Sequence, residues 1–262
     1  FTLMKTLRSF LGFAMAFAIS TSVASAVIVD DFDSYLAGSS LAANGYTQFG
    51  GGASIVYPDV GSGLVPPTYP PLEGTQSVYI GGQFDGRGWG SPAAAAAVGD
   101  GAILSWIVRN EINAAIGQTS FYLSDTAGIG GGGTPGGIIL DGATDLIYLS
   151  GATETATSFS LVSPNTYKLE MELNFTADTF DAYVTDVTGA GSRTFLGTKA
   201  FGVALSAAVV AADGGVLFGN TGGGSAAFWD EIVIVPEPTS IVLLTFAGLI
   251  LGVGSRKRLR TA

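Results

Sequence analysis

The chain has 262 residues, a formal net charge of −10, and neither cysteine nor histidine. Without histidine, Ser-His-Asp and Cys-His catalysis is excluded, as are the usual catalytic zinc ligand sets. What enzymatic chemistry remains must rest on carboxylates. Without cysteine, the fold must be held by its core, which a domain of this size can bury.

The first 26 residues have the order of an export signal. Lys5 and Arg8 precede an apolar run from Phe10 to Ile19, and Ala24-Ser25-Ala26 follows. A basic start, a short greasy core and an A-x-A site describe a secretory signal peptide, with cleavage expected after Ala26. The apolar run is too short for a membrane span, which needs about 20 residues. The segment 27–235 then holds five Lys and Arg against twenty Asp and Glu, a net charge of −15. Such a domain is repelled by nucleic acid and anionic lipid, so no nucleic-acid partner is expected.

From 27 to 235 the pattern is all-β. The clearest strand is 166–175, where Tyr167, Leu169, Met171, Leu173 and Phe175 alternate with polar residues. Period-two alternation is the mark of a half-buried strand. A turn at Ala177-Asp178 leads into 179–187, completing an antiparallel hairpin. Further strands are expected at 27–33, 53–57, 76–81, 102–109, 119–124, 138–141, 145–149, 156–162, 193–199, 214–219 and 226–235. Short strands punctuated by Gly, Pro, Asn and Asp suggest an antiparallel β-sandwich. The Ala-rich stretch 91–100 fits one helical turn or a loop. The glycine runs at 81–90 and 128–137 are expected as loops; the second lacks the Lys-Ser/Thr of a phosphate cradle.

The last segment, 236–262, combines Pro236-Glu237-Pro238, an uncharged run from Thr239 to Gly254, and Arg256-Lys257-Arg258. As a helix, that run of 16 residues would be about 24 Å long, short of the ~30 Å hydrocarbon core. Local thinning and basic side chains reaching for the head groups would close the gap. The basic cluster would stay cytoplasmic as a stop-transfer signal, with the 27–235 domain on the opposite side.

This tail resembles the PEP-CTERM sorting signal of Gram-negative bacteria. The resemblance implies that Pro236, Glu237 and Pro238 are a recognition motif for a membrane protease of the exosortase type. It also implies an inner-membrane anchor and an association with exopolysaccharide at the cell surface or in the matrix. The ends of the middle segment, "VIVDDFDSYLAGSSLAANGY" at 27–46 and "AAFWDEIVIV" at 226–235, resemble the first and last strands of LamG-like, concanavalin A-type jelly rolls. The expected fold class is therefore an all-β antiparallel sandwich of the jelly-roll type. It would be flanked by a signal peptide and a single C-terminal transmembrane helix.

Three sets of residues are candidates for chemistry. Glu170 and Glu172 share a strand face at a spacing near that of a retaining glycosidase pair, and family 16 glucanases resemble this arrangement. However, Met171, and Asn174 or Phe175, stand where further carboxylates belong in that motif, so a solvent-facing strand is the preferred reading. Asp31 or Asp33 with Asp230 could hold a structural calcium ion between first and last strands, calcium needing six to eight oxygens. Trp89 and Arg87 could contact a glycan, the ring by stacking and the guanidinium by hydrogen bonds. Trp106 is expected in the core, and Trp229 fits either role. The favoured function is a non-catalytic surface or matrix protein, structural or glycan-interacting. The alternative is a polysaccharide-active, glycoside hydrolase-like enzyme.

Overall fold

The computed structural model of the protein describes residues 25–58, 72, 75–110, 118–125, 135–162, 164–221 and 226–236. The signal-peptide core with Ala24, and the tail with Glu237, Pro238, Arg256, Lys257 and Arg258, lie outside the described residues. Among the described residues no helix is long and apolar enough to cross a membrane. The account below concerns the compact unit Ala26–Val235.

The unit is all-β and antiparallel. Its strands are β1 (Val27–Asp30), β2 (Thr47–Pro58), β3 (Gln76–Gly88), β4 (Ile103–Asn110), β5 (Gln118–Ser124), β6 (Gly136–Asp141), β7 (Leu146–Ser150), β8 (Glu154–Ser160), β9 (Thr166–Asn174), β10 (Thr179–Asp186), β11 (Thr194–Ala200), β12 (Gly215–Thr221) and β13 (Ala226–Val235). They form one sheet in the order β11-β10-β9-β4-β13-β3-β12-β5-β6-β7-β8, with β1 on β13 and β2 on β3. The alternation read at 166–175 is real. Tyr167, Leu169, Met171 and Leu173 are buried, and Phe180, Ala182 and Val184 of β10 join them.

The sheet cannot be flat. Trp106 on β4 stacks on Phe121 of β5 with ring centroids 3.7 Å apart, yet these strands are four places apart in the order, about 19 Å in a flat sheet. The sheet therefore folds over, and its inner faces share one core. Its far ends also meet: Lys199 on β11 reaches the Thr155 hydroxyl of β8 at 2.7 Å, and the Gly202 N–H donates to the carbonyl of Pro135 at 2.6 Å.

β3 is the strand at which the two layers join. Its residues 78–81 pair with β13, and its residues 84–88 pair with β12. β2 accompanies it along both halves, with a register shift between Gly50 and Ala53. At the corner, Gly82 has φ +70° and a Cβ on Gly52 would stand 1.9 Å from the Gly81 oxygen. A side chain cannot enter there. The ladder gap is filled by Asn220 of β12. Its carboxamide accepts from the Gly82 N–H at 2.5 Å and donates to the Ile80 carbonyl at 3.0 Å, as a paired strand would.

Several boundaries differ from the sequence expectation. The glycine run at 81–90 is strand as far as Gly88, and Gly136 and Gly137 belong to β6. Glycine there serves packing: a Cβ on Gly137 would lie 2.3 Å from the Phe121 oxygen. β2 starts at Thr47, six residues early. β1 stops at Asp30, because Asp30 Oδ1 accepts the Phe32 N–H at 2.9 Å and Phe32 turns to φ +59°. The Ala-rich stretch forms helix α1 (Pro92–Ala96), begun by a Ser91 cap and Pro92, the preferred opening pair. A helix that the sequence pattern gave no sign of, α2 (Ala207–Asp213), starts on a Ser206 cap and buries Val210.

Asn220→Ala would leave a buried N–H and a buried carbonyl without partners at the corner. It is expected to cost about 2–4 kcal/mol, measured as a lower urea midpoint at unchanged slope.

Candidate functional site

The corner in β3 has a chemical consequence. Before it, Val78 and Ile80 face the core; after it, the paired partners of Phe218 and Val216 are Asp85 and Arg87. At this corner Gly51 and Gly52 of β2 stand opposite Gly82 alone, and the parity of β3 shifts across the bulge. Gln83, Asp85 and Arg87 therefore turn inward, where alternation from Val78 would have placed Phe84 and Gly86.

Arg87 is met there by the N-terminal segment. Its Nη1 forms an ion pair with Asp30 Oδ2 and donates to the Tyr35 hydroxyl at 2.5 Å. The Tyr35 hydroxyl in turn donates to Asp30. The Tyr46 hydroxyl donates to the same carboxylate oxygen at 2.7 Å, and the Tyr46 ring lies 5.3 Å from the guanidinium carbon. The Asp30 side chain is 5% exposed and that of Arg87 26%. A charge so buried must be paired and hydrogen-bonded, and Asp30 has donors on both oxygens. Burial first, and the Asp30 carboxylate second, push both tyrosine hydroxyls well above the usual phenol range. Both stay protonated as donors.

Beside this cluster the end of β3, α1 and α2 enclose an open pocket of about 430 Å³ lined by Arg87, Trp89, Gly90, Ser91, Ala95 and Ala212 among others. That volume is in the range of small-ligand sites. Trp89 is only 4% exposed, and its Nε1 donates to the Val210 carbonyl at 2.7 Å. The indole is wedged under α2, so it offers the pocket no open stacking face.

The other predicted residues lie elsewhere. Glu170 and Glu172 point outward from β9. Arg193 donates from Nε to Glu170 at 2.5 Å, places Nη2 3.9 Å from Glu172 and stacks 3.4 Å over the Tyr183 ring. The two carboxylates share one guanidinium as counter-charge. Asp33 accepts from the N–H groups of Thr75 and Gln76, at 2.7 and 2.9 Å, stapling a loop. Asp31 accepts from the Asp33 N–H at 3.3 Å. Asp230 is buried and accepts from the Ser77 hydroxyl at 3.0 Å. Among the described residues no three acidic side chains gather so as to hold a metal ion. Trp106 and Trp229 are both in the core.

Asp30, Tyr35 and Tyr46 were not singled out individually from the sequence, because their inward roles depend on the parity shift. The one legible signal was the Gly81-Gly82 pair inside an apolar strand, a mark of a bulge.

No protein-family model matches the chain, and no curated protein sequence matches it. Among solved structures, it is similar to a sialidase at 11% identity and TM-score 0.49, over 84% of this chain and 19% of the sialidase. It is also similar to lectin UEA-II, solved with galactose, at 7% identity and TM-score 0.44, over 82% of this chain and 99% of the lectin. A third is the metal-free lectin I-B4 from Griffonia simplicifolia, at 8% identity and TM-score 0.45, over 80% and 98%. The chain thus spans about a fifth of the sialidase's length. At these identities and TM-scores the likeness carries neither mechanism nor ligand to this chain.

Asp85 supplies a pH signature. It is fully buried, accepting from Gln83 Nε2 at 2.8 Å and from the Ser54 hydroxyl at 3.4 Å. Burial raises its pKa, and those hydrogen bonds only partly oppose the shift. The folded state therefore holds this proton more tightly than the unfolded state, so its contribution to stability is full at low pH and falls as pH rises through the raised pKa. Asp85→Asn should flatten that fall, and Tm measured from acidic to neutral pH should decline less in the variant than in the wild type.

Proposed function

We propose that this is an exported, non-catalytic protein of the bacterial cell surface or extracellular matrix, whose β-sandwich interacts with glycan. The structural observation that carries the glycan part is the pocket beside the Asp30–Arg87 cluster. It has a small-ligand volume, walls of small residues and a half-buried guanidinium held by Asp30 at its base. Sites built on such supported side chains bind with little ordering cost. The acidic charge of 27–235 argues against nucleic acid as a partner. The outward, arginine-tied carboxylates of β9 argue against the hydrolase alternative.

The export part rests on the sequence. A signal peptide ending at Ala26 would deliver the domain across the inner membrane. The tail would hold it there until an exosortase-type protease recognised Pro236, Glu237 and Pro238. Release or transfer would then place the domain at the surface, among exopolysaccharide.

Two measurements test this reading. The full chain, kept in mild detergent, is expected to retain one class from a panel of neutral, acidic and amino-sugar polysaccharides, and to release no reducing ends. Loss of all binding would overturn the glycan reading, and release of reducing ends would restore the enzyme. In a host with an exosortase-type protease, changing Pro236, Glu237 and Pro238 to alanine should leave the unprocessed chain in the membrane fraction. Unaltered processing would overturn the sorting role.

A further inference from the structure

We infer that the pocket at the end of β3 is a carboxylate receptor. Its ligand class would be an acidic sugar, with the Nε–Nη2 side of Arg87 as the recognising group. This rests on the glycan reading above and narrows it from saccharides in general to uronic-acid-type saccharides.

The guanidinium is used asymmetrically. Its bonds to Asp30 and Tyr35 both leave from Nη1, and Tyr46 is a third hydrogen-bond partner of the guanidinium. The other half lies below Gly90, which also lines the pocket. Gly90 has φ +74°, and a Cβ there would stand 3.1 Å from Nη2 and 3.3 Å from Cζ and Nε. Glycine is thus required twice, by the backbone conformation and by the space above the guanidinium. Any other residue would cover the half that Asp30 leaves unused. Nε and Nη2 form the fork that binds a planar carboxylate through two parallel hydrogen bonds.

The existing ion pair does not use up this capacity. Asp30 draws on the Phe32 N–H and on the Tyr35 and Tyr46 hydroxyls as well as on Arg87, so its charge is distributed over four donors. Arg87 keeps attraction for a second acceptor, and its plane is fixed by Asp30 and the Tyr46 ring. The remaining wall offers one further polar side chain, Ser91, for a sugar hydroxyl. The Ser91 hydroxyl accepts from the Ala94 N–H at 3.1 Å, which leaves its own proton to donate. The strong negative charge of 27–235 keeps polyanions at a distance, so the site fits an isolated acidic unit, not a densely charged polymer.

The test is calorimetric titration of the full chain with glucuronic acid, glucose and acetate, together with the Arg Nε–Hε spectrum of the arginine-labelled protein. Glucuronic acid is expected to bind and to shift one Arg Nε–Hε resonance, with glucose and acetate each weaker by about tenfold, an energy step of one carboxylate or ring contact. Ala212→Phe, an exposed wall position remote from the Asp30 cluster, should abolish the binding and leave Tm unchanged. Glucose binding as well as glucuronic acid, with both lost in Ala212→Phe, would overturn the carboxylate assignment while leaving the glycan reading intact. Acetate matching glucuronic acid would overturn the sugar assignment. No binding of glucuronic acid, or binding untouched by Ala212→Phe, would overturn the inference altogether, whatever the polysaccharide panel gives.

Discussion

The corner in β3 is the constraint on which the rest of the domain depends. A strand can pass from one layer of a sandwich to the other only by breaking its ladder, and a broken ladder leaves backbone groups that must find partners. Here the break falls at Gly81-Gly82, where Gly52 and Gly219 leave no room for side chains. Asn220 replaces the missing strand with its own carboxamide. The layer β11-β10-β9-β4-β13 and the layer β12-β5-β6-β7-β8 are continued into one another by the strand ladder at that corner. Their inner faces then close on Trp106, Phe121, Phe218 and Trp229, whose rings lie 3.7 to 6.3 Å apart. Two indole N–H groups, on Trp106 and Trp229, are buried there without a hydrogen-bond partner among the described residues, a penalty set against ring stacking and burial.

The same register break makes the interior polar on one side. Had β3 kept its parity past Ile80, Phe84 would point inward and Arg87 outward. The shift reverses this, and a charged side chain is brought to the core edge. A buried guanidinium without a partner would cost several kcal/mol. The N-terminal segment answers with Asp30, Tyr35 and Tyr46. The strap from 30 to 46 is thus no passive linker: its polar residues match the charge that the corner turned in. Trp89 and Gly90, immediately beyond, then define the pocket wall. Corner, strap and pocket are consecutive results of one bulge.

This explains what could be read from the sequence. Every strand was legible, because strand periodicity is local and the core demands it; β9 reads straight off Tyr167, Leu169, Met171 and Leu173. Gly81 to Gly88 and the pair Gly136-Gly137 are strand where loop was expected, since a glycine that makes room for a neighbouring backbone, as Gly137 does for Phe121, resembles one that loosens a loop; 128–134 lie outside the described residues. α2 was missed because seven residues with one buried side chain carry no helical period. In the site, Arg87 and Trp89 were legible as a pair of unusual residues in a glycine-rich stretch. Their conditions were not: the wedging of Trp89 under Val210 and the Asp30 partner are long-range facts. Glu170 and Glu172 had the spacing of a catalytic pair, but Arg193 enters from a loop whose position no local pattern specifies.

The first strand is secured by the last. β1 pairs only with β13, Val27 standing opposite Ile234, and the Asp30 carboxylate completes its bonds only when β3 has bent. Contacts across more than two hundred residues must therefore form before the polar edge is neutralised, and such non-local closure slows folding. Until then Arg87 and Asp30 remain hydrated and unpaired, which is tolerable for a chain still open to water and costly for one that has collapsed without its N-terminal strand. The buried ion pair thereby favours the complete assembly over compact states lacking β1. The energy it gives up relative to an apolar contact is matched by a gain in the specificity of closure, and that closure holds the guanidinium still beside the pocket.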